Sequence, residues 1–132
     1  MTYLFDTSAW LAHFLRESNG RQMQELMDDD ATQILLASVS VTEFSRRISS
    51  LRPDGVAQGI VDNYLALFPT IVPIDGNIAR EAFALSEQCP RRLPLVGSLI
   101  AAAAKTHGAV LVHRDAHMAN IPARLLKQLS LV

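Results

Sequence analysis

Short apolar runs alternate along this chain with longer stretches whose apolar residues recur at helical spacing. Tyr3-Leu4-Phe5 is the first such run, and Asp6 closes it. Trp10, Leu11 and Phe14 follow at helical intervals, which predicts a buried strand leading into an apolar helix. Thr7 and Ser8 are residue types that cap such a helix. Glu17-Ser18-Asn19-Gly20 reads as a turn. Arg21 to Asp30 reads as a second helix with Met23, Leu26 and Met27 on one face. Acid at a helix C-terminus opposes the macrodipole, so Asp28-Asp29-Asp30 is expected around the helix end as a solvated cluster. Ile34 to Ala37 is the second strand. A helix through Phe44, Ile48 and Leu51 follows, and Ser40 and Glu43 have the spacing of a capping box. Arg52-Pro53-Asp54-Gly55 is a break, and Val56 to Leu67 is a helix that Pro69 ends. Thr70 to Ile74 is a short β-branched strand whose Pro73 suits a sheet edge.

Asp75-Gly76-Asn77 predicts a turn, Ile78 to Glu87 a helix, and Cys89 to Pro94 a loop. Leu95 to Lys105 is an alanine-rich helix that Gly108 terminates. Ala109 to Val112 is a buried strand with His113-Arg114-Asp115 at its C-terminal end. Leucines at 125, 126, 129 and 131 suggest a short helix and a last edge strand between Ile121 and Val132. Strands alternating with helices predict an α/β fold. The expected architecture is a three-layer sandwich around a central, mainly parallel sheet of four to five strands, with residues 1–132 forming a single domain.

Composition changes this picture little. With 49% hydrophobic and 19% charged residues among 132, the chain is expected to be globular. A formal net charge of −1 gives no global attraction to nucleic acid, so any such binding needs a local basic patch. The lone Cys89 has no internal disulfide partner, and no basic flank precedes a long apolar run at the N-terminus. A cytoplasmic location fits both. Leu93 to Val112 is the most apolar window, but Gly97, Lys105, His107 and Gly108 interrupt it. It reads as helix plus strand, not as a membrane span.

The candidate chemistry lies at strand ends. Asp6, Glu43 and Asp115 each follow a predicted strand, which puts all three on one rim of a parallel sheet. Ligands of such sheets bind outside the carboxyl ends of the strands. Each acid also has a structural role open to it: Asp6 as a helix cap, Glu43 in the capping box or paired with Arg47. Clustered carboxylates resist ionising together unless a cation joins them. An all-oxygen set favours Mg²⁺ or Mn²⁺, which can orient water against a phosphodiester. No His/Cys cluster suggests zinc, and there is no phosphate-binding glycine loop or nucleophile elbow. A receiver-type module is disfavoured, because it would pair an acid with Asp6 and place a lysine after the last strand. Arg46, Arg47, Arg91, Arg92 and Arg114 are candidate phosphate contacts. His113 and His117 read as hydrogen-bonded structural residues.

Phe5-Asp6-Thr7-Ser8-Ala9, Glu43, Leu99-Ile100-Ala101-Ala102-Ala103-Ala104 and Leu111-Val112-His113-Arg114-Asp115 together resemble the PIN-domain ribonucleases, specifically VapC-type toxins of toxin–antitoxin pairs. The resemblance spans nearly the whole chain. It implies a Mg²⁺- or Mn²⁺-dependent endoribonuclease that acts on RNA, forms a homodimer or toxin–antitoxin hetero-oligomer, and is inhibited by a cognate antitoxin. Asp6, Glu43 and Asp115 match three family acids, Thr7 or Ser8 matches the small hydroxyl residue, and Arg114 is a supporting residue. A fourth acid is expected where this chain has Gly97. With Asp6 and Asp115 as the remaining metal ligands, catalysis is expected to be weakened or lost. An acid restored at 97 is expected to raise metal affinity. The alternative is a catalytically dead PIN-fold module that binds antitoxin or RNA.

Overall fold

A computed structural model describes residues 1–17, 20–67 and 70–131. Its elements run β1 (Thr2–Phe5), α1 (Thr7–Phe14), α2 (Gly20–Asp28), β2 (Gln33–Ala37), α3 (Ser38–Leu51) and α4 (Ala57–Leu67). They continue with β3 (Ile71–Val72), α5 (Gly76–Gln88), α6 (Leu95–Thr106), β4 (Val110–His113), α7 (Ala116–Ala119) and β5 (Gln128–Ser130). The five strands form one sheet in the order β3-β2-β1-β4-β5. All four pairings are parallel.

Both faces of the sheet are covered, and alternation along the strands shows how. Leu4, Leu35, Ala37 and Leu111 pack into one core with Ile78, Ala82, Leu85 and the α6 residues Ile100 to Ala104. Phe5, Ile34, Leu36 and Val112 pack into the other with Trp10, Met23, Phe44, Ile48 and Val61. Helices α1 to α4 therefore lie on one face, and α5 and α6 on the other. This follows from the direction of travel. Right-handed crossovers put helices on one face while the chain moves from β1 through β2 to β3. They put them on the opposite face once it returns to lay β4 beside β1. Apolar strands with no polar face are what such double coverage requires.

Several local expectations are corrected. Asp6, not Thr7 or Ser8, is the N-cap of α1. Helix α3 begins two residues before Ser40, with Ala37 as its N-cap, so there is no capping box. Ser40 is instead fully buried, and its hydroxyl makes no hydrogen bond with the described residues. Asp75 caps α5 through the Ile78 N–H, so the expected turn there is the helix's first turn. Among the described residues the tail forms β5 but no helix after Ile121; the short helix lies upstream, at α7. Asp28 closes α2, while exposed Asp29 accepts the Ala31 N–H. The parts of the expected turn at Ser18-Asn19, and Pro69 and Val132, lie outside the described residues. Gly108 ends α6 with φ +61°, a conformation that suits glycine.

Ala101 to Ala104 are all fully buried, where α6 packs against α5 and the sheet. Alanine lets these backbones approach closely. Ala102→Leu is expected to overpack this layer and cost about 1–3 kcal/mol. Urea unfolding checks this; an unchanged midpoint would mean that the layer has slack.

Candidate active site

Strand order reverses beside β1, where β2 leaves on one side and β4 returns on the other. The crevice at the carboxyl ends of β1 and β4 is the expected place for a ligand. A cleft of about 420 Å³ opens there. Asp6, Thr7, Ser8, Glu43, Asp115, Arg46, Arg47 and Gly97 all line it. Topology thus gathers the three acids expected from the sequence, together with Gly97, where the resemblance to the family led a fourth to be expected.

Asp6 is 4% exposed. Its backbone N–H donates to Val112 O at 2.9 Å and continues the β1–β4 ladder. Its Oδ2 accepts both the N–H and the hydroxyl of Ser8. The Ser8 hydroxyl oxygen also accepts the Arg114 N–H at 2.9 Å. One hydroxyl therefore ties the acid at the end of β1 to the backbone at the end of β4. Asp6 Oδ1 takes no hydrogen bond among the described residues. Burial pushes the Asp6 carboxyl above the ordinary carboxylate range. The Ser8 hydrogen bonds pull it back, and the charges of Asp115 and Glu43 push it up again.

Glu43 Oε1 accepts the Thr7 hydroxyl at 2.7 Å. With no capping box to satisfy and no ion pair to Arg47, Glu43 is held across the crevice by α1. Asp115 caps α7, and its Oδ1 accepts the N–H and faces Nδ1 of His117, each at 2.9 Å. The Asp115 backbone N–H donates to His113 Nδ1 at 3.2 Å. His113 Nε2 then donates to Gln128 Oε1 at 2.8 Å, and Gln128 Nε2 donates to Ile121 O. That pattern is the neutral Nε2–H tautomer. Fully buried His113 thus anchors the Asp115 turn to the edge strand, which agrees with its structural reading.

Each of the three acids keeps one oxygen outside any hydrogen bond to the described residues. Even so, among the described residues no three His, Cys, Asp or Glu side chains converge as a ready-made metal cage. Such a donor set suits a hard cation held by one or two carboxylates and its own waters, not one fully enclosed by protein.

The basic residues divide. Arg46 and Arg47 line the cleft, and neither makes an ion pair among the described residues. The Arg114 side chain turns to an ion pair with Glu17 and serves the site through its backbone N–H. Arg91 and Arg92 are exposed and do not line the cleft. The sequence reading missed the apolar wall formed by Leu11, Pro94, Val96, Ile100 and Met118. Met118 lies three residues after a strand-end acid, which was the available signal.

The sequence profile of the PIN domain matches residues 3–124. The chain belongs to the PIN-domain family. A comparison with curated proteins gives no match. Among solved structures, this PIN domain is similar to VapBC2 from Rickettsia felis bound to a promoter DNA fragment, with TM-score 0.80 and 19% identity over 100% of both chains. It is similar to DNA-bound VapBC from Salmonella typhimurium, with TM-score 0.77 and 15% identity over 98% of each chain. A toxin–antitoxin complex from Klebsiella pneumoniae gives TM-score 0.74 and 22% identity over 97% of this chain and 96% of that one. These likenesses are of fold. No helix among the described residues is long and apolar enough to cross a membrane.

The raised carboxyl of Asp6 makes a stability prediction. Its folded-state value lies above the unfolded one, so Asp6 costs nothing at acid pH, where both states are protonated. The cost grows as pH rises past the ordinary carboxylate range. Asp6→Asn keeps an acceptor for Ser8 and removes the charge. Without metal, it is expected to melt above the unaltered chain at about pH 7 and to lose that advantage at about pH 3. Equal melting temperatures at both would mean that the burial is not felt.

Proposed function

We propose that this PIN domain is the toxin of a toxin–antitoxin pair and cleaves RNA with Mg²⁺ or Mn²⁺. Asp6 and Asp115 would hold the cation, and Glu43 would complete the catalytic set. The observation that carries this reading is one cleft that joins three carboxylates and two arginines at the strand-order reversal. Bound there, the cation would supply an oriented water and stabilise charge on a phosphodiester. The chain's own part is positional. Ser8 fixes Asp6 so that Oδ1 remains available, and His113 fixes the turn that presents Asp115. Thr7 holds Glu43 by one oxygen, leaving the other to accept a proton from the attacking water. Arg46 and Arg47 offer positive charge to the RNA backbone.

Gly97 removes one expected carboxylate, so activity is weak in this reading. A partner antitoxin and a homodimer or hetero-oligomer go with the toxin assignment, supported by the fold's likeness to toxin–antitoxin structures. A second reading, a non-cleaving module that binds antitoxin or RNA, is favoured by Gly97 on the cleft wall, where the resemblance leads a metal-binding acid to be expected.

The test is cleavage of total RNA by the purified chain with Mg²⁺, with Mn²⁺ and with chelator. Weak cleavage is expected that chelator abolishes and that Glu43→Gln reduces roughly a hundredfold. Cleavage that survives chelator would overturn the metal mechanism. RNA that is bound but never cut would favour the second reading. Separately, Arg46→Glu with Arg47→Glu is expected to weaken RNA binding in a filter assay and flatten its salt slope by about two phosphate contacts. An unchanged slope would remove these arginines from the interface.

A further inference from the structure

Gly97 is the third residue of α6 and lines the cleft beside Asp6 and Asp115. The space next to it is taken. A Cβ at position 97 would lie 2.9 Å from the Met118 methyl, 3.7 Å from its sulfur and 4.0 Å from Pro94 Cβ. Carbon atoms pack best at about 3.5–4.0 Å, so the first contact is well inside the repulsive wall. The methyl is the end of a flexible side chain and can move. Met118 is only 1% exposed, however, and it packs into the core that contains Ile100 and Ala101. It also lines the cleft, so the open direction for a displaced methyl is the cleft itself.

Met118 is not independent of the acids. Asp115 caps α7, and its carbonyl accepts the Met118 N–H at 3.0 Å. One short turn therefore presents both a carboxylate to the crevice and a methyl against α6.

We propose that Gly97 and Met118 are a matched pair, so that, unlike the expectation from the sequence alone, an acid at 97 does not suffice and the α6 side of the cleft accepts a further oxygen ligand only when both residues change. This rests on reading the cleft as a divalent-cation site. Alone, Gly97→Asp brings in a carboxylate and drives the Met118 methyl into the volume that the cation and its waters need. Shortening Met118 as well removes that conflict.

The experiment titrates Mn²⁺ calorimetrically into the full chain, Gly97→Asp, Met118→Val and the double variant, with Met118→Ala as a second truncation. The double variant is expected to bind at least about tenfold more tightly than the unaltered chain, and Gly97→Asp alone within about threefold of it. If Gly97→Asp alone gains as much as the double variant, Met118 yields freely and the pairing is overturned. It is equally overturned if the unaltered chain binds and the folded double variant gains nothing. If neither the unaltered chain nor any variant binds, the cation reading of the cleft fails. Metal-free melting curves then decide the pair by themselves. Alanine is the better helix former, so Gly97→Ala is expected to raise Tm in the Met118→Val background and to raise it less, or lower it, when Met118 is intact. Equal shifts in both backgrounds would overturn the steric coupling.

Discussion

A carboxylate buried where strand order reverses is the constraint on which this protein's cleft depends. Asp6 ends a strand with no polar face, and its main chain continues the β1–β4 ladder. It cannot withdraw into solvent without breaking that pairing. Ser8 makes the position tolerable by giving Oδ2 two hydrogen bonds, and by accepting the Arg114 N–H it also closes the gap between the two strand ends. The cost of burying charge is thus offset only in part, and the imbalance remains at Oδ1. A fold optimised for stability alone would place an amide there.

The neighbouring acids add to the imbalance. Glu43 and Asp115 arrive from different elements, and each is restrained at one oxygen by a local donor. Charge repulsion among them raises Asp6 further. Relief can come from protons or from a cation, and the all-oxygen donors set the class of cation. Across the cleft stands the wall of α6, whose alanines bring it close to α5 and the sheet. Gly97 continues that economy of volume into the helix's first turn, where the Met118 methyl takes up the space. The close packing that builds the core therefore continues up to the edge of the cleft.

Most of the architecture was legible in the sequence because period and punctuation are local properties. Short apolar runs between amphipathic stretches located the strands, and the acids that follow those runs, at the strand end or in the next helix, named Asp6, Glu43 and Asp115. The misassigned caps have a common cause. A capping box at Ser40 and Glu43 is a local pattern, but α3 starts earlier because β2 passes into it without a loop. Ser40 then falls on the buried face and Glu43 on the cleft. Similarly, Ser8 looked like a cap and instead became a bridge, since its second partner is 106 positions away.

By itself the sequence determined the order of elements, the parallel sheet with two covered faces, and the residue types available to a site. Those follow from hydrophobic period and backbone stereochemistry, which act over a few residues. Only the tertiary structure decided which side chains meet. It turned Arg114 to Glu17 and left Arg46 and Arg47 in the cleft. It set Met118 against Gly97, and it tied Asp115 through His113 to the edge strand. Each of these contacts joins separate elements across the sheet order. Their geometry depends on strand register and helix packing, which no local pattern carries.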